Sequence, residues 1–150
     1  MTLDLIKKLR DETGVGVMEI KKALDEAGND LEKTKKILRD QGAAQAQKRA
    51  DKATLQGTIE AYSHAGKIAV LVEINCETDF VARSDSFKTF AHDVALQIAA
   101  MKPKDVAALF EQEFIKETSL TIKDLYNELT AKTGEKISIS RFVIYELGKE

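Results

Sequence analysis

Few residues in this chain could do chemistry. Its 150 residues contain two histidines, His64 and His92, and one cysteine, Cys76. Nucleophilic catalysis needs a Ser or Cys within reach of a base that a third group holds in place. His64 stands in the turn sequence His64-Ala65-Gly66-Lys67 and His92 on the flank of a helical pattern, so both read as solvated or packed histidines. Cys76 directly follows a β-type run and reads as a small buried residue. Gly14-Val15-Gly16 is too short for a dinucleotide fingerprint, and the lysine and Ser/Thr of a phosphate loop are absent at the needed spacing. The acids are scattered, with no spacing that argues for a metal site or a carboxylate pair. The expectation is a protein that is not an enzyme and needs neither cofactor nor metal.

One segment stands apart. Asn75-Cys76-Glu77-Thr78-Asp79-Phe80-Val81-Ala82-Arg83-Ser84-Asp85 lies between a strand pattern and a helix pattern, where turn residues are ordinarily polar, yet it carries Phe80 and Val81. Two readings are open. In one, Phe80 packs back on the core, seven residues before Phe87. In the other, Asp79 or Thr78 caps a helical turn that presents Phe80 from a rigid mount.

The elements that must position this segment follow from periodicity. Three short helices fit residues 1–41. Thr2 caps the first, which buries Leu5, Ile6 and Leu9; the second carries Val17, Ile20, Leu24 and Ala27 to Gly28. Asn29 or Asp30 caps the third, with Leu31, Thr34, Ile37 and Leu38 inward and Gly42 as its stop. Residues 43–56 lack an apolar stripe and read as a solvated linker helix or flexible tether, or as a basic docking segment through Lys48, Arg49 and Lys52. A hairpin follows, Gly57–Ser63 and Ile68–Ile74, with Ile68, Val70, Val72 and Ile74 on one face. Phe87, Phe90, Ala91, Val94, Ile98 and Met101 form a helical core stripe. Pro103 is placed in the first turn of a next helix that continues through Val106, Leu109, Phe110 and Phe114. Thr121 to Asp124 resembles a capping box that opens a helix closed by Gly134, and Ile137–Tyr145 is a third strand. The fold class is α+β: a three-helix module over 1–42, a linker over 43–56, and a core domain over 57–150 with a three-stranded antiparallel sheet. Helices cover one face of that sheet, which leaves the other, with Phe142, Ile144 or Leu71 on it, for self-association.

Composition narrows the partners. Lys and Arg number 23 against 25 Asp and Glu, a net charge of −2 with a pI near 5.8, so a strongly basic nucleic-acid coat is excluded. Residues 1–50 hold 11 Lys and Arg against 9 acids, and residues 51–150 hold 12 against 16. One cysteine makes no internal disulfide, and no apolar run approaches a bilayer span, so a reducing, cytoplasmic setting without membrane contact is expected.

Two stretches carry a resemblance. Leu9-Arg10-Asp11-Glu12-Thr13-Gly14-Val15-Gly16-Val17-Met18-Glu19-Ile20-Lys21-Lys22-Ala23-Leu24 resembles the N-terminal signature of the elongation factor Ts family, and Asn75 to Arg83 resembles its second signature. The closing Gly134-Glu135-Lys136-Ile137, Arg141-Phe142 and Glu146-Leu147-Gly148 resemble the end of its short form. The match is colinear over essentially the whole chain. Val17 and Glu19-Ile20 stand where many members have methionine and an Asp-Cys pair.

The resemblance implies a guanine-nucleotide exchange factor for elongation factor Tu, built from a ubiquitin-associated-like bundle, a linker and an α+β dimerisation domain. It places partner contacts on Lys7, Arg10, Val17, Met18 and Lys21. The motif that dislodges the partner's magnesium beside GDP falls on Thr78, Asp79, Phe80 and Val81, with Asp79 capping the turn or bonding to the partner's displaced backbone. Longer members carry a second core half, a protruding helical hairpin and a C-terminal segment absent here; short members pair two copies, which implies a homodimer. Two other classes compete from the residues alone. One is a module binding helical or ubiquitin-like partners. The other is a translation protein touching RNA through Lys48, Arg49 and Lys52, whose binding at this pI would be weak and salt-sensitive.

Overall fold

A computed structural model describes residues 3–149. Helices α1 (Leu3–Thr13), α2 (Val17–Glu26) and α3 (Leu31–Lys48) lead into a hairpin, β1 (Gln56–His64) and β2 (Ile68–Cys76). Then come α4 (Asp79–Ala82), α5 (Asp85–Met101), α6 (Val106–Glu111), the short strands β3 (Glu113–Phe114) and β4 (Glu117–Thr121), α7 (Ile122–Thr133) and β5 (Ser138–Glu146). The architecture is α+β, as the sequence predicts: a helical layer, then a sheet of order β1-β2-β5, antiparallel throughout, with helices on one face.

The helical layer closes on its own core. Ile6, Leu9, Val15, Ile20, Ala23, Leu24 and Leu38 bury together, and Leu5, Val17, Leu31 and Ile37 pack around them. Of the two candidate caps of α3, Asp30 holds the place, accepting from the Lys33 N–H at 2.9 Å. Ala27, expected to face inward, is half-buried, and Ala23 takes the inward position instead. The cap expected at Thr2 lies outside the described residues.

Gly42 does not stop α3. The helix runs on to Lys48 and ends at Arg49. Gly42 is buried where α3 crosses α7, and a Cβ there would run into the Asn127 carbonyl and lie 3.1 Å from the Ala131 Cβ. Glycine sits here for close approach of two backbones and not for a left-handed turn. The first part of the stretch expected to link the two parts, through Lys48, is therefore a continuation of α3.

The main core lies between the sheet and α5, α6 and α7. Val70, Val72, Ile74 and Cys76 of β2 meet Phe87, Phe90, Ala91, Val94 and Ile98 of α5, with Leu109, Ile122, Leu129, Ile137 and Ile139 completing it. The β1–β2 turn takes Ala65 and Gly66 into positive φ (54° and 68°), which matches the twist of the two strands. β5 carries a bulge. Glu73 lies opposite Arg141 but Ile74 lies opposite Ile139, so Ser140 is an extra residue. That insertion flips the side-chain parity, and Ile137, Ile139, Phe142 and Ile144 all turn toward the helices.

The bulge corrects the outer face. Phe142 and Ile144, expected in the exposed patch, are half-buried against the core; the outer face instead presents Ile59, Leu71, Val143 and Tyr145, between 43% and 75% exposed. Pro103 is also displaced from its expected place. α5 ends at Lys102 in left-handed conformation, Pro103 is buried in the connection, and Asp105 caps α6 by accepting from Ala108 N–H at 2.8 Å. α6 then stops at Glu111, and Phe114 belongs to a two-stranded hairpin that helical periodicity hid. Buried Gln97 pins this hairpin, donating to the Glu113 carbonyl and accepting from Ile115 N–H, both at 2.9 Å. The Thr121–Asp124 capping box and the Gly134 stop of α7 form as expected.

An interior helical Gly→Ala change ordinarily stabilises by about 1 kcal/mol. At Gly42 the sign reverses: Gly42→Ala is expected to destabilise by about 1–3 kcal/mol through overpacking, read from the urea midpoint at constant m-value.

Candidate functional site

The segment after β2 builds a short, pinned helix. Thr78 ends the extended run with φ −124° and ψ 152°, and its hydroxyl accepts from Val81 N–H at 3.3 Å. Thr78 is therefore the cap, and Asp79 is not. Asp79 occupies the first helical position, where its charge suits the helix N-terminus, and pairs with Arg83 at 3.0 Å. The far end is held by Ser84, whose hydroxyl donates to the Val81 carbonyl at 2.7 Å and accepts from Phe87 N–H, joining α4 to α5. Within the turn, Val81 drops into the main core at 6% exposure. Phe80 points the other way, 81% exposed. Of the two readings open from the sequence, packing on the core is the one that fails.

Beneath the turn lies a polar junction that the sequence reading missed. The Glu135 carboxylate, on the α7–β5 connection, accepts from Glu77 N–H at 3.1 Å, Thr78 N–H at 3.0 Å and the Thr78 hydroxyl at 2.6 Å. The Glu77 carboxylate reaches the opposite way and accepts from Lys136 N–H at 2.6 Å. It also takes a two-pronged bond from Arg49 at 2.6 and 2.7 Å. Arg49 is the C-cap of α3, so the end of the helical layer is tied to the loop that carries Phe80. Lys136 Nζ donates to the Ala50 carbonyl, and Gln45 Nε2 donates to the Gly134 carbonyl at 3.2 Å. Glu77 lay inside the quoted motif, but no local signal pairs it with residues 28 or 59 positions away.

The electrostatics follow the geometry. The Arg49 guanidinium holds the Glu77 carboxyl down at about 2, with burial opposing and the Lys136 N–H adding to the lowering. Burial pushes the Cys76 thiol up to about 11; its Sγ donates to the Thr78 carbonyl at 3.2 Å, so it is a packed thiol and a poor nucleophile. Among the described residues, no group of three or more His, Cys, Asp or Glu could hold a metal ion, and no helix is long and apolar enough to cross a membrane. His64 bonds to the Tyr62 hydroxyl at 3.0 Å, and His92 sits 3.9 Å from Glu60.

The other expected contact residues lie on the helical layer. Lys7 and Arg10 are exposed on α1; Met18 and Lys21 are exposed on α2, with Met18 at 63%, and Val17 is half-buried. Of the basic trio after Gly42, Arg49 is committed to Glu77, while Lys48 and Lys52 are exposed.

A pH dependence follows from Glu77. Its folded pKa lies below the ordinary 4.5, so its contribution to stability is complete above that value and is lost as pH falls toward 2. Unfolding by urea at about pH 5 and about pH 3 is expected to show a larger loss for the parent than for Glu77→Gln, which starts lower and has no such carboxyl to titrate.

Comparison with known proteins identifies the family. The sequence model of the family described as Elongation factor TS matches residues 77–150, from Glu77 of the polar junction through β5. A protein of Thermotoga neapolitana named Elongation factor Ts is 44% identical over 194 aligned positions, covering 100% of this chain and 98% of the relative. Proteins of the same name from Coprothermobacter proteolyticus and Carboxydothermus hydrogenoformans are each 42% identical, over 99% of this chain and 99% and 90% of their own lengths. With 150 residues against 194 aligned positions, this chain leaves at least 44 of those positions empty. Identity of this order along the entire chain, with a family match that takes in the Phe80 turn and Glu135, places the chain in the elongation factor Ts family.

Proposed function

We propose that this protein is a guanine-nucleotide exchange factor for elongation factor Tu, acting in the cytoplasm and performing no chemistry of its own. The observation that carries the proposal is Phe80, a large apolar side chain left 81% exposed on a turn fixed at both ends. A P-loop GTPase holds GDP through backbone donors and a magnesium ion bridging phosphate and protein oxygens. Phe80 enters between partner helices beside that ion, and Thr78, Asp79 and Val81 make the turn that aims it. Displacing the helices loosens magnesium and GDP together. By linkage, GDP weakens the factor as much as the factor weakens GDP.

Phe80 needs help. Burying one phenylalanine is worth roughly 1.5–3 kcal/mol, and each tenfold in release rate needs about 1.4 kcal/mol. The remainder comes from docking of the helical layer, a ubiquitin-associated-like module over 1–42, on the partner's nucleotide domain through Lys7, Arg10, Val17, Met18 and Lys21. Residues 43–56 join this module to the core domain over 57–150. A direct RNA role is disfavoured, because Arg49 is already bonded on two nitrogens to Glu77.

The protein also pairs with a second copy through the outer sheet face. Ile59, Leu71, Val143 and Tyr145 form an apolar patch that a lone soluble domain seldom leaves open. Leu71→Glu with Tyr145→Glu is expected to convert a dimer to a monomer in sedimentation, with circular dichroism unchanged.

Release of fluorescent GDP from elongation factor Tu, followed by stopped flow at fixed magnesium, tests the main proposal. The parent accelerates release strongly, and Phe80→Ala lowers the acceleration by about tenfold. Acceleration that survives the mutation intact would move the work to the helical layer. A parent without effect would end the proposal.

A further inference from the structure

The turn that carries Phe80 has four residues, too few to hold itself. Its first cap, Thr78, does two things with one hydroxyl: it accepts from Val81 N–H and donates to Glu135 Oε2 at 2.6 Å. The donated bond fixes the rotor, so the lone pair that Val81 needs is turned to meet it. Glu135 Oε1 simultaneously takes the two preceding amides, Glu77 N–H and Thr78 N–H, which fixes the backbone entering the turn. One carboxylate therefore sets both the backbone and the side chain of the cap.

Glu135 is itself well anchored. It follows Gly134, whose left-handed conformation (φ 71°) closes α7 and whose carbonyl is held by Gln45 of α3. Glu135 N–H donates to the Thr133 hydroxyl, and the next residue, Lys136, gives its N–H to Glu77. The two loops grip each other reciprocally, each offering a carboxylate to the other's amides. The group setting the angle of Phe80 is thus 55 positions away in sequence and belongs to the α7–β5 connection.

We propose that Glu135 is a positioning residue for nucleotide exchange, aiming Phe80 by holding the Thr78 cap, an inference that rests on the exchange-factor reading above. Glu135 does not touch the partner in this account. It acts through Thr78, so its loss reduces what Phe80 does after docking and leaves docking itself alone.

The experiment measures GDP release from elongation factor Tu against factor concentration for the parent, Phe80→Ala, Glu135→Ala and Glu135→Gln, with thermal unfolding of each. Gln keeps an oxygen for the two amides, but its NH2 donates to the Thr78 oxygen where the carboxylate accepted, so it preserves the backbone grip and not the bond that fixes the hydroxyl. Glu135→Ala is expected to lower the maximal release rate about fivefold, the scale of one lost cap, with the half-saturating concentration changed by less than about twofold. Glu135→Gln is expected to fall between Glu135→Ala and the parent. Amide hydrogen exchange on the free proteins supplies a second readout: residues 80–82 exchange faster in Glu135→Ala, while α5 keeps its protection. An unchanged maximal rate in Glu135→Ala overturns the proposal, and so does a loss confined to half-saturation or a Gln variant as defective as Ala. A parent that fails to accelerate release overturns the exchange reading and this proposal with it; a Phe80→Ala variant that matches the parent leaves exchange to the helical layer and overturns this proposal, since Phe80 then has no action to aim. If Phe80→Ala is impaired and Glu135→Ala is not, the positioning role alone is lost.

Discussion

A helix of one turn fixes its backbone dihedrals without enough hydrogen bonds to hold them, so α4 exists only because its surroundings insist on it. Val81 supplies the inward anchor, Thr78 and Ser84 close the two ends, and Glu135 orders Thr78 from below. Each bond is modest alone, on the order of 1 kcal/mol net. Their common effect is geometric. They leave Phe80 in solvent with no freedom to collapse onto the core, although an exposed phenylalanine would gain roughly 1.5–3 kcal/mol by doing so. Holding an apolar side chain away from its own core is a cost to the isolated protein, and the proposed function supplies a partner that would bury it.

The same junction ties the two parts of the chain. Arg49 closes α3 and grips Glu77 with both prongs, while Lys136 reaches the Ala50 carbonyl. Two further features stiffen the tie. Gly42 lets α3 lie against α7 at backbone distance, and Arg39 pairs with Glu128 across the same crossing at 3.5 Å. Exposed ion pairs contribute little to stability. The Arg49–Glu77 pair is different in kind, being bidentate, with the Glu77 side chain only 11% exposed.

Local rules reached much of this and stopped at identifiable places. The capping box at Thr121 and the β1–β2 hairpin are written in residues a few positions apart and form as read, and Asp30 takes the α3 cap that the sequence leaves open between Asn29 and Asp30. Gly42 misled because glycine has two uses, and only the neighbour at Asn127 tells a close approach from a helix end. The Ser140 bulge misled because alternation gives no sign of an inserted residue, and its effect is to swap Phe142 and Ile144 for Val143 and Tyr145 on the outer face. The β3–β4 hairpin is short, and its anchor, Gln97, looks like an ordinary polar residue of α5 until its amide is seen bonded to the backbone of Glu113 and Ile115. At the candidate site, periodicity and capping placed the turn but left Phe80 undecided. The deciding residues, Glu135 and Arg49, lie 57 and 28 positions from their partners.

Energetics connect these observations. In the proposed function, burial of one wedge side chain would account for one or two powers of ten in release rate, and any larger effect would draw on contacts made elsewhere. Those contacts act at Phe80 only if the element that makes them and the element that carries Phe80 move as one body. A flexible tether over residues 43–56 would dissipate docking energy in linker motion, since such a chain constrains little beyond its length. In this protein the first part of that stretch, through Lys48, continues α3 without a break at Gly42, and the helix ends in the Arg49 clamp on the loop preceding Phe80. The helical layer and the turn are therefore set at a fixed angle before any partner arrives. In such an arrangement, a contact made by the helical layer fixes the position of the turn as well, and the helix crossing at Gly42 is part of what couples the two.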